Sequence, residues 1–324
     1  MRAILWLVLG LGVLWGGYWF AGAATLENAA TDWFTQAGAQ GITARQDGIA
    51  VAGFPNRFDL TVTKPELSDP ATGWGWSAPF AQVLAMSWKP WHVIAALPDS
   101  QQIFAPGQTI ALQSSKMQAS VRVVPASDLA LAEVRLEGHD VQARSDLGWQ
   151  IGMTSLVAAM VSTGPRQHLG LQATDLTPDH RLTALVPQLG PTISMVHLDA
   201  TVTLTAPIDR HMAEAPPRPI ALDLADFRLI WGELTVSSTG KVTAGPDGLA
   251  MGKIDFRFQN WTSLPQLLVA MGLVQPAMAV SITSGLQALA TSGGDPKVLD
   301  LALTFDDGRM SFGPLPLGPA PRLN

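Results

Sequence analysis

The first 26 residues constrain the fold most, because they hold a long stretch without charge. Met1 and Arg2 are followed by 24 uncharged residues that end at Leu26. About 20 apolar residues in a helix cross the ~30 Å hydrocarbon layer of a bilayer. The positive charge at the start predicts a cytoplasmic N-terminus, with the body on the periplasmic side of the inner membrane. We therefore predict a single-pass transmembrane anchor over residues 1–26.

Aromatic residues near the end of this segment fit the same interpretation. Tyr18, Trp19 and Phe20 lie where the helix would reach the far membrane interface. The alternative is a cleaved signal peptide, because residues 21–23 (Ala-Gly-Ala) match the small-residue pattern of a cleavage site. The apolar region of a signal peptide is usually only ~7–15 residues long. The longer stretch here favours a retained anchor.

The composition excludes several classes of protein. The 324 residues carry a net charge of −6, and their lysines and arginines form no run. Nucleic-acid binding requires a basic surface, so we predict no nucleic-acid partner. The chain has no cysteine, which excludes disulfides, thiolate metal sites and iron–sulfur clusters. Charged residues make up 14%, against about 25% in typical domains, which suggests apolar surface for lipid or a partner protein.

The spacing of apolar residues changes after the anchor. Residues 27–40 carry them at helical intervals, which predicts a short amphipathic helix. Beyond Gly41 apolar and polar residues alternate, as in strands with one buried face. The clearest runs are 57–62, 132–137, 196–205, 253–258 and 299–305. They predict a mainly β (α+β) fold, in which the transmembrane helix precedes a large antiparallel β-sheet body with a few short helices.

Proline-rich segments indicate how the body is divided. Residues 215–219 predict a boundary between a first β-rich part, 41–214, and a second, 220–324. Within the second part, a proline in a first helical turn and a later glycine predict a helical insertion over 263–290. Near the end, alternation predicts a buried Phe305. We expect the proline-rich tail after Gly313 to cap the body, anchored by Leu315 and Leu317.

The residue patterns that carry catalysis or metal binding are missing or incomplete. None of the six histidines has a histidine or carboxylate at the spacing of a helical zinc site. Residues 75–79 resemble the nucleophile elbow of hydrolases, with Ser77 as the nucleophile, but Pro79 replaces the glycine that this tight turn needs. We therefore predict no catalytic residue, no metal site, no cofactor and no enzymatic activity.

The tryptophans are concentrated in one region. Four of them fall within eighteen residues, at Trp74, Trp76, Trp88 and Trp91. The indole ring combines an apolar body with a polar N–H, which suits an apolar or interfacial binding surface. The alternative is ordinary packing within the β-sheet body.

Several motifs together carry a family resemblance. They are the N-terminal anchor, Gly53-Phe54-Pro55 followed by 57–60, the tryptophan stretch 88–91, and the closing stretch 307–321 with Asp307-Gly308 and Gly313-Pro314. In these features the chain resembles an uncharacterised family of Gram-negative envelope proteins, domain of unknown function 2125. That family has no assigned activity, so the resemblance implies no catalytic residue. The chain is more loosely similar to AsmA-like envelope proteins, which implies a curved sheet whose apolar face handles lipid.

Three hypotheses for function follow. The first is a non-enzymatic membrane-anchored periplasmic protein that binds lipid or an apolar partner segment. The second is an assembly or scaffolding factor that binds another envelope protein through a sheet edge. The third is a hydrolase that uses Ser77 or a pair of aspartates. A continuous apolar groove along the sheet favours the first, a closed core the second, and a polar pocket with converging carboxylates the third.

Overall fold

The computed structural model of the chain describes residues 1–212, 214–272 and 274–323. It begins with α1 (Arg2–Ala39), a continuous helix of 38 residues. The predicted anchor and the predicted amphipathic helix are therefore one element. No glycine or proline interrupts the chain between Ala23 and Ala37, so nothing ends the helix at Leu26, where the predicted anchor ends. By length and composition α1 can span a membrane.

The chain forms two compact units, and α1 belongs to the first, which covers Met1–Val123, Leu136–Gly138 and Gln142–Gly148. The strands of this unit are β1 (Thr43–Arg45), β2 (Gly48–Ala52), β3 (Arg57–Thr63), β4 (Glu66–Asp69), β5 (Trp74–Ser77), β6 (Phe80–Met86), β7 (Lys89–Leu97), β8 (Ser100–Ala105), β9 (Gln108–Gln113), β10 (Lys116–Val123) and the last residues of β11 (Leu131–Ser145). They pair antiparallel in two rows. The first row is β2-β3-β6-β7-β10, and the second row is β1-β4-β5-β8-β9-β11.

Short bends connect strands of the first row to strands of the second row. The chain therefore forms a series of long hairpins, each of which is bent between the rows. β3 continues into β4 through Lys64 and Pro65, and β5 continues into β6 through Ala78 and Pro79. The backbone ladder runs through this bend, because Lys64 N–H donates to Pro79 O at 2.9 Å and Ala78 N–H donates to Pro65 O at 3.2 Å. Proline lacks a donor and is tolerated where a strand ends or bends. Pro98 occupies the corresponding place between β7 and β8.

The second compact unit covers Val124–Arg135, His139–Val141 and the chain from Trp149 onward. Its strands are β12 (Gln150–Thr163), β13 (Arg166–Leu176), β14 (Ile193–Leu204), β15 (Pro219–Trp231), β16 (Leu234–Ala244), β17 (Ala250–Gln259), β18 (Val298–Asp306), β19 (Arg309–Phe312) and β20 (Leu315–Pro319). Its helices are α2 (His180–Leu185), α3 (Leu264–Ala270) and α4 (Ala279–Ser292), with single 3-10 turns at Pro187–Leu189, Trp261–Ser263 and Pro276–Met278. From β12 to β20 each strand pairs antiparallel with the next along the chain.

The predicted boundary at 215–219 lies inside this second unit. β14 and β15 flank that segment and pair from Ile193 with Trp231 to Leu204 with Pro219. The prolines therefore belong to a connection between neighbouring strands, and Pro219 is the first residue of β15, a position that proline tolerates. The compact units divide earlier, between Val123 and Trp149. The two-part division at 214 and 220 is not a division of the fold.

Alternation places the large apolar side chains of the second unit on one face of its sheet. Two buried clusters lie at the end that the helices cover; one contains Trp261, Leu286 and Leu299, and the other Trp231 and Leu234. A third cluster, with Val242, Ala250, Phe305 and Ala320, lies beneath the C-terminal tail. Burial of these side chains is the main stabilising contribution, at about 1.5–3 kcal/mol for each large one.

The predicted fold class is confirmed. Strands account for 52% of the residues and helices for 23%, and the N-terminal helix precedes a large antiparallel sheet. The predicted alternating runs form strands β3, β11, β14, β17 and β18, and only Thr205, at the end of the run 196–205, lies beyond its strand. The helical insertion predicted over 263–290 corresponds to α3 and α4. Leu273, between these helices, lies outside the described residues.

Candidate functional site

One face of the sheet from β12 to β18 carries a largely apolar surface, interrupted by Ser238 between Phe227 and Phe256, which we call the apolar face. The strand register aligns its side chains across neighbouring strands; Leu171, Leu198 and Phe227, for example, form one row. Its members are Leu156, Ala158, Met160, Leu169, Leu171, Ala173, Val196, Leu198, Ala200, Val202, Leu222, Leu224, Phe227, Leu229, Val236, Val242, Ile254, Phe256, Phe258, Leu299, Leu301, Leu303 and Phe305.

The middle of the apolar face is only half covered. The helices cover one end of this face, and the C-terminal tail covers the other end. Between these ends, the side chains of Leu198, Leu224, Phe227 and Ile254 are only partly buried. A folded protein rarely leaves so large an apolar surface in contact with water unless the surface has a partner. This face is therefore a candidate site for an apolar ligand.

A cavity of about 290 Å³ opens at the tail end of the apolar face. All the residues that line it are apolar: Val202, Pro219, Ala221, Leu222, Val242, Ala250, Ile254, Phe305, Pro321 and Leu323. Two positions of the same face are glycines, Gly240 between Leu224 and Ile254, and Gly252 between Val242 and Phe305. Neither glycine leaves free space, because a Cβ at Gly240 would lie 2.4 Å from Lys253 O and a Cβ at Gly252 would lie 2.2 Å from Lys241 O; the backbone itself requires glycine at both positions.

The tail forms one wall of this cavity through backbone hydrogen bonds. Ala250 N–H donates to Pro321 O at 2.8 Å, and Leu323 N–H donates to Gly248 O at 2.9 Å. The predicted anchors, Leu315 and Leu317, are instead 53% and 52% exposed. β20 pairs with β19, and this pairing, rather than burial of its leucines, holds the first half of the tail.

The opposite face of the same sheet is polar. His168 and His197 are paired there with Asp199 and Asp226, at 3.6 and 3.8 Å. Arg257 donates two hydrogen bonds, of 2.8 and 2.9 Å, to the Asp300 carboxylate across the strands. These hydrogen bonds hold the pKa of Asp300 below its usual value, so the group stays ionised, as in a structural ion pair. Among the described residues no group of three or more histidine and carboxylate side chains could hold a metal ion.

Ser77 lies on β5, beside an open cavity of about 520 Å³ in the first unit. Its partner across the pair with β4 is Glu66, and its partner on β8 is Gln102. The described lining of the cavity contains Lys64 and Glu66 but no histidine. Ser77 ends a strand within a bent hairpin, a different setting from the strand-to-helix turn of a nucleophile elbow.

The four clustered tryptophans do not form one surface patch. Trp74 and Trp76 lie on β5 in the second row, whereas Trp88 and Trp91 belong to the turn before β7 and to β7 itself in the first row. Trp76 is half-buried and donates its indole N–H to Gln101 Oε1 at 2.9 Å. Trp74 and Trp88 are 55% and 54% exposed. The cluster in sequence is thus separated by the bend between the rows.

Residues 53–58, which we call the motif loop, pack against α1. Trp15 donates its indole N–H to Pro55 O at 3.1 Å, and Trp19 donates its own to Arg57 O at 2.7 Å. The rings of Trp19 and Phe58 stack with centroids 5.8 Å apart. Trp19 and Phe58 are each only 5% exposed. The Gly53-Phe54-Pro55 motif therefore belongs to a docking site for the N-terminal helix.

The turn between β6 and β7 joins the same packing. Tyr18 donates its hydroxyl to Ser87 O at 2.7 Å. Ser87 is fully buried; its hydroxyl donates to Pro55 O at 3.1 Å and its N–H to Asn56 O at 2.9 Å. Ser87 was not predictable from the sequence, because a single serine before a tryptophan gives no signal of burial.

The closing motif shapes the last hairpins. Asp307 and Gly308 form the turn between β18 and β19 with φ of 46° and 69°. Gly313, with φ of 55°, turns the chain into Pro314 and β20. A Cβ at Gly313 would lie 2.8 Å from a methyl carbon of Leu301, so this position requires glycine both for its backbone conformation and for space. The closing motif is thus explained by the backbone conformations that the turns at Asp307-Gly308 and at Gly313 require.

Comparison with known proteins gives one family and no assigned activity. No curated protein matches the chain. The model of a family described as "Uncharacterized protein conserved in bacteria (DUF2125)" matches residues 19–321. The matched region starts at Trp19 and includes the motif loop, the apolar face and most of the tail. The chain therefore belongs to the DUF2125 family of uncharacterised bacterial proteins.

Proposed function

We propose that this protein is a non-enzymatic lipid-binding protein of the periplasm, held in the inner membrane by α1, and that an acyl chain occupies its apolar face. The observation that carries the proposal is the entirely apolar cavity of about 290 Å³ at the tail end of that face. Ligand cavities generally measure about 300–1,000 Å³. At about 290 Å³ this cavity lies just below that range, so the proposal places part of one acyl chain in it and the remainder of the lipid along the half-covered middle of the face.

The form of the sheet supports this assignment over the assembly factor. A closed core would bury the middle of the apolar face, whereas Leu198 and Phe227 remain partly exposed. The free edge of β20 contains Pro316 and Pro319, which have no N–H to donate to an added strand. At this edge of the second unit, an added strand would therefore find few backbone donors, and the side chains of the apolar face are the surface offered to a partner.

The packing of α1 supports a retained anchor. Trp19 and Ala23 are buried against Phe58 in a common cluster. Cleavage after Ala23 would remove both and expose an aromatic ring of the first sheet to water. Arg2 before the apolar segment supports a cytoplasmic N-terminus and a periplasmic body.

The test uses full-length protein in detergent and a phospholipid with a photoactivatable diazirine in one acyl chain. Val202→Phe places a larger apolar side chain in the cavity without adding a polar group. Val161→Phe is the matched control, since Val161 pairs with His168 on the polar face and is 43% exposed. We expect cross-links in the wild type at the cavity residues, their loss in Val202→Phe, and no change in Val161→Phe.

Native mass spectrometry of the same preparations tests whether a lipid is bound without irradiation. We expect a phospholipid adduct on the wild type and on Val161→Phe, and a reduced adduct on Val202→Phe. Cross-links confined to α1 would mean that lipid contacts only the anchor, and the proposal would be wrong. A co-purified protein seated on the apolar face would favour the apolar partner segment instead.

A further inference from the structure

Two exposed aromatic side chains lie beside the membrane-anchor helix, at Phe54 and Trp88, which are 55% and 54% exposed. They lie in different turns, but buried Ser87 joins the turns through its hydrogen bonds to Pro55 and Asn56. Phe54 also stacks on Phe20 of α1, with ring centroids 5.5 Å apart and planes 22° apart. The two aromatics therefore keep a fixed position along the helix.

The length of free helix decides where they lie relative to a bilayer. Hydrogen bonds between α1 and the body begin at Trp15, so residues 2–14 precede any such contact. At ~1.5 Å per residue this segment covers about 20 Å, short of the ~30 Å hydrocarbon layer. About seven more residues are needed, to near residue 21, and tilt would increase that number. The part of α1 that packs on the motif loop must therefore lie in the outermost layer of the membrane.

The motif loop has the chemistry that this depth requires. Backbone carbonyls in an apolar medium need hydrogen-bond donors. The three carbonyls turned towards α1, of Pro55, Arg57 and Ser87, accept from Trp15, Trp19 and Tyr18 at 3.1, 2.7 and 2.7 Å.

The surroundings of the two exposed aromatics have an interfacial composition. Met86, the last residue of β6, is 43% exposed and precedes the turn with Trp88, and the basic residues Arg57 and Lys89 flank the same turns. Aromatic and basic side chains together are typical of the boundary between headgroups and acyl chains.

We infer that Phe54 and Trp88 insert into the lipid interface of the bilayer that α1 spans, so that the first unit rests on the membrane and is not merely tethered to it. The inference rests on the proposed anchoring and adds a second contact with the same bilayer. The occupant of this surface is the phospholipid interface on the side of the body. The docked helix then fixes the orientation of the first unit relative to the bilayer.

The absence of cysteine makes a direct test available. Single-cysteine variants Phe54→Cys and Trp88→Cys carry a nitroxide label in proteoliposomes of phosphatidylethanolamine and phosphatidylglycerol. Trp74→Cys is the matched control, because Trp74 is also 55% exposed. It lies in the second row, whose β1 follows the C-terminal end of α1. Leu7→Cys, in the free part of α1, is the control for the anchor.

We expect labels at positions 54 and 88 to lose accessibility to a water-soluble nickel complex and to gain accessibility to oxygen, as at position 7, with position 74 behaving in the opposite way. The two test positions lie in separate turns, so misfolding of one variant leaves the other as the test. If position 7 reports lipid while 54 and 88 behave like 74, the interfacial contact is refuted and the anchor stands. If position 7 also reports water, both the anchor and this inference are wrong.

Discussion

Gly22 allows α1 to approach the first sheet closely. A Cβ at this position would lie 2.8 Å from Cζ of Phe58, whereas the space around Gly17 on the same helix is open within 4 Å. We predict that Gly22→Leu forces the Phe58 ring out of its place and destabilises the docked helix by about 1–3 kcal/mol. Gly17→Leu should leave the melting temperature in detergent nearly unchanged. Equal melting temperatures for the two variants would contradict the docking.

The role of Gly22 also shows why one part of the sequence was ambiguous. Small residues at 21–23 match a signal-peptidase site, and small residues are equally what a closely packed helix needs. The local sequence does not distinguish a signal-peptidase site from a closely packed helix. The pairing partner, Phe58, is 36 residues away in the sequence, so only the fold reveals the packing.

Phe305 and Asp306 are neighbours with opposite environments. Phe305 is 8% exposed in the cluster with Val242 and Ala250, whereas Asp306 is exposed at the end of β18. Removal of a buried phenylalanine side chain typically costs about 3–5 kcal/mol. Phe305→Ala should therefore lower the denaturant midpoint strongly, and Asp306→Ala should change it little. A midpoint for Phe305→Ala close to that of Asp306→Ala would mean that the tail cluster contributes little to stability.

Ser77 provides the test of the hydrolase alternative. No histidine lies among the described residues that line its cavity, so nothing there is placed to accept its proton. We predict that Ser77→Ala retains the wild-type melting temperature and complements a deletion strain fully. A variant present at the normal level that behaves as the deletion does would restore the enzyme hypothesis.

At the scale of elements, α1 is predicted to remain part of the mature protein. Cleavage after Ala23 would separate Trp19 from the motif loop and remove the hydrogen bond to Arg57 O. N-terminal sequencing of protein extracted from membranes should therefore give a start at Met1 or Arg2. A start at Ala24 would show that the segment is a signal peptide and would exclude the anchor.

The tail is the other terminal element whose contribution can be measured. Truncation after Gly313 removes β20, buried Ala320 and the backbone bonds that Pro321 and Leu323 make with residues 248–250. We predict a loss of stability smaller than that of Phe305→Ala but clearly measurable by thermal unfolding. The double substitution of Leu315 and Leu317 by alanine is a control with little expected effect, since both are exposed. An unchanged melting temperature after truncation would mean that the tail contributes no stability.

The elements that the sequence predicted well are those with strong local periodicity. The runs within β14 and β17 have one polar face and one apolar face, so alternation alone identified them. Leu315 and Leu317 were wrong as tail anchors because alternating prolines and leucines give no indication of which face meets the sheet. Residues 215–219 were wrong as a boundary because a proline-rich connection between paired strands has the composition of a linker.

The candidate site was only partly predictable for a related reason. An apolar face was expected from alternation, but the cavity depends on which residues of β14 to β18 and of the tail the fold brings together. Register across strands is a long-range property that local composition does not contain. The tryptophan cluster was likewise separated by a bend between the two rows of strands. Pro65, between β3 and β4, and Pro79, between β5 and β6, were the only local indication of that bend.

At the scale of the whole chain, the low content of charged residues follows from the construction of the sheets. In the second unit the ion pairs Lys241–Asp223 and Arg257–Asp300 lie on the polar face, and the apolar face carries none. One side of each long strand is therefore free of charge, and only the other contributes to the 14% of charged residues. The low content of charged residues, which first suggested an apolar surface, is thus explained by the apolar face of the second unit.

The order of strands in the second unit has a consequence for how the chain is made. Because each strand from β12 to β20 pairs with its neighbour in sequence, the order of synthesis is also the order across the sheet. A chain that emerges from its N-terminus, in synthesis or in the proposed export, can add each emerging strand to the edge left by the previous one, without waiting for a distant partner. The same arrangement lets evolution insert or delete a hairpin and so lengthen or shorten the apolar face, while the remaining strands keep their register.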